Sequence, residues 1–360
     1  MYLTQLDIRQ VRNLHEVKIS PGKRCNYIFG DNASGKTSVL EAIYLLSVAR
    51  SFRTTHIKHV ISYDQPSLQV FARIQKDNNQ DQTALGLERT NQKTRIRING
   101  KDVKQVSELS SLLPVQIINP DVHKLLEQGP KYRRQFIDWG VFHVEHGFLQ
   151  AWQQYYRVLK QRNAALRKKL NKKDIVLWDN QLIQYAKNIT LARENYLLGF
   201  MPIFTSYVNK LMGLSVEIEY VRGWNMESSF TDTLANNYDK DIFKGFTSSG
   251  PHRADLAILH NGIPVQNSFS RGQQKLLVCA MRLAQINYLK KETNQQSVLL
   301  VDDLAAELDI QHRQNLIELL VDTQAQLFLT ATEQNSFILP SEIESKMFHV
   351  EHGILKEVVQ

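Results

Sequence analysis

Gly30, Gly35, Lys36 and Thr37 stand in FGDNASGKTSVLEAIYLL (29–46) at the spacing of a glycine, four free residues and Gly-Lys-Thr. Few chemistries use that set. A loop that wraps a triphosphate must turn sharply and aim N–H groups at anionic oxygens, which glycine permits. The lysine then reaches the β/γ-phosphates, and the threonine hydroxyl completes a Mg²⁺ shell. Two carboxylates, Asp302 and Asp303, end the apolar run VLLVDD (298–303). A carboxylate at a strand end can hold Mg²⁺ through its shell, which makes Asp302 the metal candidate. Asp303 then stands where a base or water-orienting group belongs. Ser270, Gly272 and Gln273 in FSRGQQKLL (269–277) open an apolar-periodic segment. A helix N-terminus led by Ser and Gly offers free amides and a hydroxyl to an anion. An ordinary helix cap has the same composition. One nucleotide rarely needs two such ends from one subunit, so the functional reading aims this one at a nucleotide held by another chain.

The elements around these residues must place them. CNYIF (25–29) reads as a buried strand, and the residues from Ser38 to Leu46 have unbroken helical spacing. Strand, glycine loop and helix N-terminus in succession bring backbone amides and a positive dipole end to a phosphate. Residues 1–112 are strand-rich, with a hairpin signal at Asn99-Gly100 inside TRIRINGKDV (94–103). Residues 113–213 change to long polar-faced helical periodicity, as in FLQAWQQYYRVLKQRNAALRKKL (148–170). After about 214 strands return, with a second Asn-Gly hairpin in LAILHNGIPV (256–265), a helix over 275–291 and the strand SVLLVDD (297–303). The expected organisation is a head split between 1–112 and 214–360, with a helical lobe at 113–213.

Composition bounds the partners. Over 360 residues, 42% are hydrophobic and 22% charged, an ordinary globular balance. Lys+Arg exceeds Asp+Glu by 44 to 36, which leans toward polyanions. MYLTQLDIRQVRNL has no apolar core or cleavage site of a signal peptide. NYLLGFMPIFTSYVN (195–209) is too short to span a membrane and is interrupted by Pro202. The two cysteines, Cys25 and Cys279, fall in core elements and read as reduced, with no metal or disulfide framework. The reading is a cytoplasmic protein.

Seven stretches, in order along nearly the whole chain, resemble the RecF family of bacterial recombinational-repair ATPases, relatives of ABC and SMC-type heads. They are VRNL (11–14), GDNASGKTSVLEAIYLL (30–46), RSFR (50–53), GPKYRRQFIDW (129–139), GPHRADL (250–256), SRGQQKLL (270–277) and VDDLAAELD (301–309). The resemblance implies an α/β P-loop head of ABC/SMC type, with mixed β-sheets and a helical second lobe inserted between Walker A and signature. It implies ATP and Mg²⁺ as cofactors, ATP-driven head-to-tail homodimers and binding to double-stranded DNA near gaps or junctions. It further implies help in loading RecA with RecO and RecR, in support of the SOS response and replication restart. Carried over, Gly30, Asp31, Asn32, Ala33, Ser34, Gly35, Lys36 and Thr37 form Walker A. Ser270, Gly272 and Gln273 form the signature, Asp302 and Asp303 the Walker B acids, and Asp309 the dimer-contacting D-loop. Gln116 is the nearest match to a Q-loop glutamine.

Departures from the pattern have consequences. Ala33 stands where the family's loop often has glycine, a position the general motif leaves free. Relative to transporter ATPases, Arg271 replaces the first signature glycine and Asp303 the usual glutamate. Thr330 and Thr332 occupy the strand end where transporters carry a switch histidine. The shorter acid and missing histidine imply slow hydrolysis, with ATP acting as a dimer clamp more than as fuel, and the resemblance to the family implies a weak ATPase stimulated by DNA. The alternative is the ATPase subunit of an ABC-type assembly unrelated to DNA repair. A transporter ATPase would have a shorter insertion and a membrane partner. A full SMC protein would have heptad arms, and a small-molecule kinase would leave SRGQQK idle.

DNA contacts are expected on basic surfaces. RVLKQRNAALRKKLNKK (157–173) holds eight Lys/Arg and no acid, and Lys168, Lys169, Lys172 and Lys173 are the chosen phosphate contacts. A solvated helix with a basic end explains the same run. The first hairpin, with Lys93, Arg95, Arg97 and Lys101, is the competing surface. Tyr155 and Tyr156 read as core packing ahead of base stacking. Arg133 and Arg134 open a helix on either lobe's surface.

Overall fold

Alternation and apolar runs set the two kinds of sheet. The computed structural model describes residues 1–76, 81–303, 309–334, 340 and 343–358. The apolar strand Cys25–Phe29 lies inside a six-stranded sheet, ordered Ile354–Val358, Ser345–Glu351, Cys25–Phe29, Gln326–Ala331, Val298–Val301, Val115–Ile118. Its last five strands run parallel, and Ile354–Val358 pairs antiparallel at the edge. Strands buried on both faces read as continuous apolar runs, as VLLV does; CNYIF departs from this only at Asn26, whose buried amide is bonded to Gly22 and the Leu327 carbonyl. A second six-stranded sheet is antiparallel, ordered Leu14–Ile19, Tyr2–Val11, Ser67–Gln75, Gln82–Thr90, Thr94–Ile98, Lys101–Val103. The helix Lys36–Val48 touches strands of both sheets, and Val39, Leu40, Ile43 and Leu46 on it are each 0% exposed. Burial at about 1.5–3 kcal/mol per large apolar side chain anchors the helix that carries Lys36 and Thr37.

Both Asn-Gly hairpins form at the expected residues. Asn99 and Gly100 have φ of 50° and 78°, and Asn261 and Gly262 have 51° and 76°. Two consecutive positive φ values are what a tight two-residue turn demands, and Asn-Gly tolerates them best.

The chain divides into two compact units, 1–122 with 289–360, and 123–288. The boundaries therefore differ from those expected at 112/113 and 213/214. Val115–Ile118 belongs to the first unit because it pairs in parallel with Val298–Val301. Residues 214–288 fall in the second unit because Glu217–Val221, Asp255–His260 and Ile263–Pro264 form a separate three-stranded sheet. That sheet is tied to the helix Pro130–Val144 by the ion pair Arg133–Asp255.

Two helices depart from expectation. The helix predicted over 148–170 stops at Arg167; Lys169 is left-handed at φ 51°, and a short helix restarts at Lys172–Val176. Conversely, Pro202 breaks nothing: one helix runs Asp179–Met212 straight through it. Proline leaves the carbonyl four residues earlier without its donor. That residue, Leu198, is 76% exposed, so water can satisfy the carbonyl.

Candidate nucleotide site

Phe29 ends the buried strand, and the chain turns back on itself before Lys36. Gly30 has φ 153°, and a Cβ there would meet the carbonyl oxygen of Val350 at 2.2 Å. Gly35 has φ 125° and lies against Asn13 and Leu14. Both glycines are thus required by the backbone. Ala33 is also left-handed, at φ 64°. The position is not free of conformational demand, which corrects the expectation and explains why glycine suits it.

Asn13 clasps the loop from outside. Its Nδ2 donates to the carbonyls of Ala33 (3.2 Å) and Ser34 (3.0 Å), and its Oδ1 accepts from Ser38 Oγ (2.9 Å). Lys36 Nζ donates to the carbonyls of Gly30 (2.7 Å) and Asp31 (2.9 Å). Burial lowers the Lys36 pKa, and the carboxylates of Asp303, Asp302 and Asp31 oppose that shift.

Strand order explains how Asp302 reaches Thr37. Val298–Val301 and Cys25–Phe29 both flank Gln326–Ala331 in parallel, so their C-terminal ends open on the same sheet edge. Thr37 Oγ1 lies 2.9 and 3.1 Å from the two oxygens of Asp302. Thr330 Oγ1 lies 2.8 Å from Asp302 Oδ1 and accepts from the Asp303 amide at 3.0 Å. Burial pushes Asp302 above the usual carboxylate range, and the bonds from Thr330 and Thr37 work against it. Asp303 is left-handed at φ 47°. Thr330 is fully buried, so it anchors both acids rather than facing solvent at the strand end; Thr332 is exposed.

A cleft of about 430 Å³ opens over this edge, lined by Asn32, Ala33, Gly35, Lys36, Thr37 and Asp303 with Arg12, Asn13, Ser38 and Arg53. Ser34 Oγ is buried beside it without a partner. Glycine-cradled backbone, a lysine, an orphan hydroxyl and a hydroxyl–carboxylate pair suit a nucleoside triphosphate with Mg²⁺. Among the described residues no three acids, histidines or cysteines cluster as a metal cage.

Sequence reasoning missed the ring of side chains behind the cleft. Glu41, 0% exposed on the loop helix, makes a two-point ion pair with Arg12 at 2.9 Å on each arm, accepts from Ser51 Oγ and lies 3.8 Å from Arg53. Arg12 also donates to the His59 carbonyl. VRNL and RSFR were visible as motifs, and this network is what they build. A buried acid in an otherwise apolar helix face was the available signal for it.

The other expected residues fall as follows. Gln116 is 3% exposed in mid-strand opposite Leu299, two pairs short of the strand end, so it does not stand at the cleft edge. Ser270 and Gln273 form a reciprocal cap: the Gln273 amide donates to Ser270 Oγ (3.3 Å) and the Ser270 amide to Gln273 Oε1 (2.9 Å). Residues 270–273 are all exposed, and nothing lies within 4 Å of a Cβ placed on Gly272. Asp309 caps the helix Ile310–Asp322 through the His312 amide, while 304–308 lie outside the described residues.

On the first hairpin, Arg95 and Arg97 share Asp102 at 3.0 and 2.9 Å, so that surface is partly self-neutralised. Lys168, Lys169, Lys172 and Lys173 are exposed. Arg162, from the same run, is buried and bonded to Asp179 and Asp241, so it serves the core. Arg133 and Arg134 are likewise structural, holding Asp255 and the Ala254 carbonyl. Tyr155 is fully buried and Tyr156 is 38% exposed against Trp152.

A parallel sheet with a glycine loop at one strand end and a carboxylate at another defines a P-loop nucleotide-binding head. The chain belongs to the RecF/RecN/SMC N-terminal domain family, whose sequence model matches residues 2–356, and within it to RecF. It is 43% identical over 359 residues to "DNA replication and repair protein RecF" of Shewanella piezotolerans (strain WP3), with 98% of each chain covered. A solved structure described as the recombination mediator protein RecF-ATP in the RecFOR pathway superposes with a TM-score of 0.88 at 25% identity, over 99% of this chain and 98% of that one. The SMC head bound to the C-terminal winged-helix domain of ScpA shares the fold, with a TM-score of 0.61 at 16% identity over 99% and 97%. Among the described residues no helix is long and apolar enough to cross a membrane.

Proposed function

We propose that this protein is an ATP-gated DNA clamp of recombinational repair, cytoplasmic and dimeric when ATP is bound. The carrying observation is the contact of Thr37 Oγ1 with Asp302 at 2.9 Å, beside Lys36 at the mouth of the glycine loop. In this reading Gly30 to Thr37 grip the triphosphate, Lys36 supplies charge to the β/γ-phosphates, and Thr37 and Asp302 hold Mg²⁺. Mg²⁺ supplies charge neutralisation at the phosphates; Asp303 orients the attacking water. Ser270, Gly272 and Gln273 complete the site of a second copy by meeting its γ-phosphate. Their full exposure supports a role outside their own chain. Gln116 is buried, so any part it plays in sensing nucleotide passes through the Asp302 strand. Turnover is slow and DNA-stimulated.

Duplex DNA near gaps is the proposed substrate, with Lys168, Lys169, Lys172 and Lys173 on its phosphates. The self-pairing of Arg95 and Arg97 with Asp102 favours those lysines over the hairpin. RecR and RecO are the proposed partners and RecA the downstream beneficiary, in keeping with the pathway in which the solved relative is placed.

The test is complementation between two damaged chains. Ser270→Arg places a bulky cation where two copies must close, so it should bind ATP and neither dimerise nor hydrolyse. In a mixture of Ser270→Arg with Lys36→Met, the heterodimer pairs the intact P-loop of the first chain with the intact signature of the second, so one composite site is whole and ATPase activity should partly return. Ser270→Arg mixed with wild type can build one whole site. A mixture that stays inactive, although each chain folds and Ser270→Arg restores activity with wild type, would place both elements within one chain and end the clamp reading.

A further inference from the structure

Three segments far apart in the sequence meet on one face of the 123–288 unit, and cations and aromatic rings alternate there. The helix Tyr238–Lys244 packs on the end of the long helix Phe148–Arg167, with Tyr238 and Ile242 against Ala165, Leu166 and Ile175. Lys172 lies over the Tyr238 ring at 5.0 Å. Gly245, at φ 70°, lies so close to Arg167 that a Cβ placed on it would stand 3.0 Å from Arg167 Cγ. Lys244 and Arg253 both approach the Phe246 ring, at 5.9 and 5.2 Å. Phe243, adjacent in sequence to Lys244, is 91% exposed. Exposed acids on the same segments are Asp174 and Asp239, against Arg167, Lys168, Lys169, Lys172, Lys173, Lys240, Lys244 and Arg253.

The turn that carries Arg253 is held from behind with unusual thoroughness. Arg162 Nη1 and Asn163 Oδ1 bind Thr247, Asp241 accepts from the Ser248 amide and hydroxyl, and Tyr155 Oη meets His252 Nδ1 at 2.7 Å. Arg193 Nη1 donates to the Pro251 carbonyl and Arg134 Nη1 to the Ala254 carbonyl. A turn fixed this way loses little conformational entropy when something binds it. Phe243 is the reverse case: its ring gains nothing from the folded chain and presents both faces to solvent.

We propose that Phe243 is a stacking platform for an unpaired base, with Lys244, Arg253 and the Lys168–Lys173 cations holding the flanking phosphates. Aromatic rings amid cations bind single strands because every base has a π-face and every linkage a charge. A base in intact duplex is stacked on its neighbours and cannot use the ring. This rests on the DNA-clamp reading and deepens it: the lobe contacts a strand with unstacked bases as well as duplex phosphate.

The experiment compares fluorescently labelled oligo(dT) 20-mer with a duplex of equal length, by anisotropy titration of the full chain with ATP across a salt series. Phe243→Ala should weaken oligo(dT) binding about tenfold and leave duplex binding within twofold, with the salt slope unchanged because no phosphate contact is lost. Phe243→Trp should restore or tighten it. Lys244→Glu with Arg253→Glu should weaken both ligands and flatten the salt slope. Unchanged oligo(dT) affinity for Phe243→Ala, or no oligo(dT) binding by the wild type, overturns the stacking proposal while duplex binding persists. Absence of binding to either ligand ends the DNA reading itself. Equal melting temperatures for Phe243→Ala and wild type, expected of so exposed a side chain, separate these outcomes from misfolding.

Discussion

Replacing Asn13 by alanine should loosen the phosphate loop without touching any residue that contacts a nucleotide's phosphates directly. The amide makes three hydrogen bonds there: to the carbonyls of Ala33 and Ser34, and from Ser38 Oγ. A net bond of this kind contributes about 0.5–1.5 kcal/mol. Ala33 is exposed, so water replaces part of its bond, and the sum falls toward about 2 kcal/mol. If the loop must be re-ordered when ATP binds, that energy appears as roughly a thirtyfold rise in Kd. Ala33 is left-handed at φ 64°, so the loop is already poised to relax once its clasp is gone. Asn13→Asp should be worse, because an acceptor then faces two carbonyls and its charge stands near the phosphates. Calorimetric titration with ATP and Mg²⁺ measures the effect, with a melting curve to confirm folding. A folded Asn13→Ala protein whose Kd lies within threefold of wild type would refute the reasoning.

The remaining predictions concern charge. Lys36→Met removes a charge-assisted contact of about 1.5–3 kcal/mol and should weaken ATP binding roughly ten- to a hundredfold; unchanged affinity and hydrolysis in a filter-binding and ATPase assay would sink the P-loop assignment. Asp303→Asn should bind ATP, turn it over about a hundredfold more slowly and accumulate as an ATP-bound dimer in size-exclusion chromatography; a monomer with wild-type turnover denies Asp303 its role. His252 carries the pH dependence of the 247–254 turn: burial lowers its pKa to about 4, below the ordinary 6.5. The unfolded chain therefore binds the extra proton first, and stability present above pH 6.5 is lost as pH falls toward 4, by about 3 kcal/mol at the limit. His143, lowered by burial to about 3, adds a loss of the same sign. His252→Gln, which keeps an acceptor for Tyr155 and a donor for Thr247, should show a smaller drop in Tm between pH 7 and 4.5; an equal drop refutes this assignment.

What the sequence disclosed follows the range of the interactions involved. The glycine loop, its strand and helix, and both Asn-Gly hairpins are local: a few residues specify the backbone, and the structure forms them where expected. Thr330, Glu41 and Asn13 were opaque because each acts through partners distant in the chain. Asn13 meets a loop 20 residues on, and Thr330 meets Asp302 across two paired strands. The unit boundary was misplaced for a related reason. Val115–Ile118 looks like the start of a helical region, and only its pairing with Val298–Val301 assigns it to the head. In the basic run, charge pattern did not distinguish buried Arg162 from exposed Lys168, because an ion pair with Asp241 is invisible until the fold closes 79 residues of chain. Pro202 misleads in the opposite sense: its local rule is real, yet solvent at Leu198 removes the penalty.

The central claim is that ATP, by joining two heads, makes the DNA-binding state. Sedimentation of the full chain with labelled duplex in ATP, in ADP and without nucleotide tests it in one measurement. The account predicts a monomer with weak, salt-sensitive duplex binding in ADP or without nucleotide, and a DNA-bound dimer in ATP. A nucleotide-independent oligomeric state, or duplex affinity equal in all three conditions, would contradict it.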